Sequence, residues 1–284
     1  MLTVFSFNRG AIKLKYKEAD MRNWKTFAIA LAVLALPLAA SSAGLEFGVG
    51  AWYVNPSGSI SYAPYGPNQF IGLSGAGVDE EWQLTFRLKG QPPALPGIYL
   101  QAVPMSFSTF GGNGGTDFEF SFGDVLFNPG DEIKSDFFLN VYDAVLYFPI
   151  PLIKTATLNV FSAEIGAGGR WITIRAELEN RSTDDLLTSS VIDDAQTANV
   201  VFPEGYAAVQ IRPTEKISLD GEIWGYSWNG DKFWSLVGRL KLKPVGPLMI
   251  SGGYRYDYYN FEQDDLRLRN TQFKGPFAEI GVMW

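Results

Sequence analysis

Neither histidine nor cysteine occurs among the 284 residues. Their absence removes the usual imidazole base, the imidazole and thiolate metal ligands, and the nucleophilic triads that depend on them. What remains for acid–base chemistry is carboxylate. Three acidic pairs stand out, Asp184–Asp185, Asp193–Asp194 and Asp264–Asp265, each in a polar stretch expected to be a loop. Like charges clustered in polar stretches serve solvation, and at most they lend oxygen ligands to Ca²⁺ or Mg²⁺, without the spacing of an EF-hand. "GGNGG", Gly111 to Gly115, lacks the Gly-Lys-Ser/Thr and the helix of a phosphate loop and reads as a loop tip. The expectation is a protein with no catalytic residues, no metal site and no cofactor.

A second set of charges sits inside apolar segments, at alternate positions. It comprises Glu46, Arg87, Glu164, Arg170, Arg212, Asp220, Glu222, Arg239, Lys241, Arg255, Asp257 and Glu279, with Asp143 added where no bulge shifts the phase of its strand. Six positive and seven negative side chains nearly cancel. An ion-selective pore shows one sign, whereas balance predicts mutual pairing in a shared interior. That chemistry requires an element that brings all these residues to one face.

The element is the strand. In "EWQLTFRLK", Trp82, Leu84, Phe86 and Leu88 alternate with Gln83, Thr85 and Arg87; in "LEFGVGAWY", Leu45, Phe47, Val49, Ala51 and Tyr53 alternate with Glu46, Gly48, Gly50 and Trp52. "ISLDGEIWG" and the stretches from Trp234 to Leu242 and Leu248 to Asp257 repeat the period of two, which places apolar and polar residues on opposite faces. Short proline-containing connections at 89–97, 148–156, 212–216 and 243–247 alternate with longer or more polar ones at 55–81, 108–132, 179–204, 228–231 and 260–271. That alternation belongs to a transmembrane barrel with short periplasmic turns and larger outer loops.

Ten strands follow, at 45–54, 82–89, 97–107, 133–148, 157–178, 203–213, 216–227, 232–243, 247–259 and 272–284. Twelve is the alternative if the alternating "TDFEFSFGD", Thr116 to Asp124, crosses the membrane instead of forming an outer hairpin that continues strand three, and eight is a further one. Tyr53, Trp82, Trp171, Trp234, Tyr256 and Tyr258 fall on the apolar parity near the outer ends, with Phe148 and Trp284 near the inner ends, as two interfacial girdles would require. A soluble two-sheet sandwich would also alternate, but it would not carry charges on the opposite parity of strand after strand. Gly48, Gly50, Gly166, Gly168, Gly253 and Gly281 share the charged parity and are expected to leave room for a local cavity.

Residues 21–43, "MRNWKTFAIALAVLALPLAASSA", have the basic start, apolar run and small residues of a secretory signal peptide, with cleavage between Ala43 and Gly44. Residues 1–20 read as a start-site extension and 44–284 as the barrel. Removing residues 1–43 takes six of the 23 Lys/Arg and two of the 30 Asp/Glu, leaving 17 basic against 28 acidic side chains. An acidic chain of this kind repels nucleic acid.

The final strand places Ala278, Ile280, Val282 and Trp284 on one face and resembles the C-terminal signature of bacterial outer-membrane barrels that the assembly machinery recognises. "GYRYDYYNFEQDDLRLRNTQFKGPFAEIGVMW", with "LYFPI" and "GEIWGYSW", is similar to an uncharacterised family of small outer-membrane β-barrel proteins with a terminal Gly-Pro-Phe-Ala strand. The resemblance spans Leu45 to Trp284 and implies location and fold, with no residue roles. Two functions stay open: a structural or surface-interaction role with a largely filled lumen, or a narrow conduit or binding barrel for a small or amphipathic solute. The expected partners are outer-membrane lipids and lipopolysaccharide, the barrel-assembly machinery and, in the second case, that solute.

Overall fold

The computed structural model describes residues 6–8, 11–13, 44–62, 69–76, 78–92, 95–112, 119–122, 125–129, 133–151, 157, 160–180, 196–263 and 265–284. Ten long strands make the wall: β1 Leu45–Tyr62, β2 Glu81–Gly90, β3 Gly97–Gly112, β4 Ile133–Pro149, β5 Phe161–Asn180, β6 Gln196–Thr214, β7 Ile217–Trp228, β8 Asp231–Leu242, β9 Leu248–Gln263 and β10 Leu266–Met283. Each pairs antiparallel with its neighbours in sequence, and β10 pairs with β1 from Leu266↔Tyr62 to Met283↔Glu46. The sheet is therefore closed, and a closed sheet has no edge whose backbone groups would meet lipid.

At the inner end the wall is sealed by backbone bonds from Trp284 N to Leu45 O, 2.9 Å, and from Gly44 N to Trp284 O, 3.2 Å. At the outer end of β7–β8, Asn229 and Gly230 take φ of 52° and 93° between the paired Trp228 and Asp231. Positive φ at both turn positions is the two-residue hairpin that suits the twist of flanking strands, which explains the Asn-Gly sequence.

The alternation predicted ten strands, and ten are present. "TDFEFSFGD" does not cross: Phe120–Phe122 pairs with Val125–Phe127 in a separate two-stranded sheet and does not extend β3. The outer boundaries differ from expectation. β1 continues to Tyr62, β6 starts at Gln196, and β9 and β10 run almost into each other between Gln263 and Leu266, where loops were expected at 55–81, 179–204 and 260–271. The ladder continues because the side-chain chemistry changes sides along the same strands. Nearer the inner end the outward residues are apolar and the inward ones charged; farther out, Ile172, Ile174, Val200, Phe261 and Leu268 are buried inside while Thr173, Asn199 and Glu262 stand half-exposed outside.

Residues 14–43, which include the expected signal peptide and Ala43, lie outside the described residues. Of the expected start-site extension, Ser6–Asn8 and Ala11–Lys13 form a small ladder that meets β6 at the pair Ile12↔Val201.

Candidate functional site

The inward charges of the inner half pair with one another in neighbouring clusters. Lys241 Nζ lies 2.7 Å from Glu46 Oε1 and also pairs with Asp220. Arg87 Nη2 is 2.5 Å from both Glu46 and Glu279, and Ser251 donates to Glu279 at 3.2 Å. Arg239 bonds Glu222 at 3.0 Å, which also accepts from the Tyr99 hydroxyl at 3.0 Å. Higher in the lumen, Arg170 grips Asp143 through Nε and Nη2 at 2.6 and 3.1 Å, and Gln101 donates to the same carboxylate at 3.0 Å. Arg170 Nη1 reaches Ser235 at 2.7 Å, and Arg255 pairs with Asp257 at 2.9 Å.

Removing such ions from water is costly, and only close pairing with hydrogen bonds offsets it. Aromatic faces add to that compensation: Arg170 lies 4.3 Å from the Phe233 ring centre, Arg255 5.1 Å from Trp52 and Arg239 5.4 Å from Phe277.

Eleven of the twelve charges named from parity, and Asp143, are brought together. Arg212 is not. It is exposed at the inner rim, beside a register shift between Ile211 and Thr214, and donates to the Gln210 side-chain oxygen at 2.8 Å. Two participants were missed. Lys89 pairs with Glu164 at 2.6 Å and faces the rings of Tyr99, Tyr147 and Tyr206, and Glu204 is buried 3.5 Å from Arg170. Each shares the parity of an inward position named from the sequence, Lys89 that of Arg87 and Glu204 that of Arg212, so parity could have found both; Lys89 opens the proline-containing connection at 89–97 and Glu204 closes the connection at 179–204. With them, six cations face eight acids.

The glycines do not open a cavity. A Cβ at Gly48 would overlap the Glu279 carboxyl group, and at Gly168 or Gly253 it would run into a carbonyl of the adjoining strand. They are the room in which neighbouring groups already sit. A void of about 20 Å³ lies between Trp52, Thr85, Arg87, Arg239, Arg255 and Glu279. An interior this full matches the close packing of protein cores.

Above the charges the lumen is apolar. Phe107, Phe137, Phe273, Tyr259, Phe233, Phe202 and Phe261 form a continuous ring cluster with neighbouring centroids 5.3 to 6.4 Å apart. The segment after β1 folds back into the mouth. Ile60 pairs with Ile71, Leu73 N bonds Gly58 O at 3.0 Å, and Leu73, Ala76 and Val78 are buried. Phe122 of the outer hairpin packs against Tyr62, the ring centres 5.7 Å apart and the planes tilted by 55°.

The outside of the inner half is the reverse. Leu84, Leu146, Ile165, Val209, Leu219, Leu236, Leu240, Ile250 and Ile280 point outward and are each at least 39% exposed. Trp82, Trp171 and Trp234 ring the outer edge of this belt, and Phe148 and Trp284 stand at the inner edge. Ala278, Ile280, Val282 and Trp284 share that outward side. A closed barrel with an apolar belt between aromatic girdles, short turns at one end and its two ends there, is built for a bilayer. The chain is an integral outer-membrane β-barrel.

No protein-family model and no curated protein sequence matches the chain. Among solved structures it is similar to the outer-membrane protease OmpT from Escherichia coli, at 9% identity and a TM-score of 0.45, over 85% of this chain and 97% of that one. The translocator domain of the autotransporter NalP from Neisseria meningitidis gives 10%, 0.37, 91% and 97% in the same terms, and the attachment invasion locus protein Ail of Yersinia pestis gives 8%, 0.34, 86% and 100%. Likeness at this level says nothing of role, and the barrel rests on its own ladder.

Proposed function

We propose that the protein is a non-enzymatic barrel, closed to ions, that acts through what it presents at the cell surface. The observation that carries this reading is the filled lumen: paired charges in the inner half, packed rings in the outer half and a folded-back segment in the mouth. About eight strands make a barrel just wide enough for side chains to fill, and aqueous porins need 16 to 18, so ten lie near the filled limit. Its partners are outer-membrane lipids and lipopolysaccharide around the belt, and the assembly machinery that reads the last strand.

The test is conductance of the purified protein in a planar bilayer. The expected wild-type result is no steady current, and Arg239→Ala combined with Arg255→Ala is expected to open one by leaving Glu222, Glu279 and Asp257 short of partners. Stable, large wild-type currents would replace this reading with a conduit.

A further inference from the structure

One seam of the wall differs from the rest. The β2–β3 ladder holds five residue pairs, Phe86↔Ala102 to Gly90↔Ile98, while every other seam holds eight or more. Beyond Ala102 the place of backbone pairing is taken by a side chain. Gln83 Nε2 donates to Ser106 O at 2.8 Å, and Ser106 N donates to Gln83 Oε1 at 3.0 Å. Ser106 thus aims its peptide groups at β2, and every second residue of a strand aims the same way, which puts residue 104 on that edge. Residue 104 is proline, which has no N–H to give, and the ladder stops there. The gap lies just below exposed Trp82, in the outer half of the belt.

Behind this gap is the void of about 20 Å³, which Thr85, Phe86 and Gln101 border from the seam side. Of the guanidinium groups on its wall, Arg255 Nη2 has only its ion pair with Asp257 at 2.9 Å, and Arg87 Nη1 and Arg239 Nε are buried nitrogens with no hydrogen-bond partner. Arg87 and Arg239 are almost wholly buried, at 2% and 3% exposure. Buried donors without acceptors are uncommon, because each loses its hydration without return.

We propose that the β2–β3 seam is a lateral entrance from the outer leaflet, and that the pocket behind it takes the carboxylate head of a single-chain amphiphile of the fatty-acid type. The class follows from the fit. Unused guanidinium donors call for an oxygen acceptor, and charged donors favour an anionic one. A void this small, little more than one or two waters, holds a planar carboxylate but not a phosphate ester. The chain then lies in the seam and against the apolar outer wall beside Phe86. Gln83 is the latch, since its amide can leave Ser106 without unzipping the rest of the ladder. No path through the barrel is required, so the inference is independent of whether the lumen conducts.

The test uses the full chain in detergent micelles, offered palmitate or hexadecanol, with retained ligand and its rate of uptake read by native mass spectrometry. Palmitate is expected to bind roughly tenfold or more tighter than the alcohol, the loss that follows when a charge-assisted bond is replaced by a neutral one. Arg239→Lys, which keeps the charge and removes the Nε donor, is expected to weaken palmitate by a similar factor. Pro104→Val restores an N–H to the seam and is expected to slow uptake about tenfold with the end point unchanged, an estimate for one added ladder bond in the closed state. Equal retention of acid and alcohol, as for a pocket that holds only water, overturns the head-group assignment. Unchanged uptake by Pro104→Val overturns the entrance. Should Arg239→Lys lose the heat-modifiable gel mobility of a folded barrel, the wild-type acid–alcohol comparison alone decides the ligand class.

Discussion

The inner half of the barrel and the outer continuation of its longer strands are built on opposite rules. In β5, Ile165, Ala167 and Trp171 face out and Arg170 faces in; two residues farther on, Ile172, Ile174 and Ala176 face in and Thr173, Arg175 and Glu177 face out. In β4, Leu146 and Ala144 face out beside inward Asp143, and then Val141, Leu139 and Phe137 turn in beside outward Asn140 and Asp136. The inner half lies in lipid and must keep its polar groups inside, where they satisfy one another. The outer continuation has half-exposed polar residues outside and an apolar core inside, the arrangement that suits a wall in water. The backbone does not register the boundary; only the side chains do.

The largest expected effect comes from the charged half. Arg170→Met leaves Asp143 and Glu204 buried without their cation and is expected to cost about 3–5 kcal/mol, the usual penalty for breaking a buried pair from one side. Urea unfolding in lipid vesicles measures it; a loss below about 1 kcal/mol would mean that water reaches the network and that it is not a core.

The belt and its outer continuation can be set against each other by the same substitution on the same outward parity. Leu240→Arg places a charge in lipid and is expected to cost about 2–4 kcal/mol near the midplane. Ser108→Arg, on an exposed outward position opposite Asp136, is expected to change stability by no more than about 0.5 kcal/mol. Equal costs would remove the boundary between the two halves. The outer core gives an intermediate effect: Ile174→Val removes one buried methylene and is expected to cost about 0.5–1.5 kcal/mol in the same assay.

The strand number was legible in the sequence because a period of two survives whichever face is apolar. The girdles were legible because Trp82, Trp171 and Trp234 end the apolar parity at one level. The strand ends were not. Where Tyr53 gives way outward to Asn55 the alternation breaks only for a wall that still faces lipid, and the residues beyond read as loops although Val54, Ile60 and Tyr62 still turn into a core. Of the candidate site, the charges themselves were visible and their pairing was not. Glu46, for instance, is shared between Arg87 and Lys241, which parity places on one face without ranking by distance. Pro104 was visible as a proline, but its effect on the seam needs the knowledge of which edge its missing N–H would have faced.

Nine of the ten seams join strands adjacent in the chain, and the tenth joins the first to the last. Trp52 Nε1 donates to Gly275 O at 3.1 Å across 223 residues of sequence. The nine can form as hairpins, each closing a modest length of chain. The tenth must wait until the growing sheet has curled far enough to meet itself, which leaves β1 and β10 as temporarily raw edges until it forms. A protein of this shape therefore spends the most vulnerable interval of its life as an open, curling sheet. The side chains gathered at that last junction, Trp52 against Gly275 and Arg87 against Glu279, act as its clasp as well as its filling.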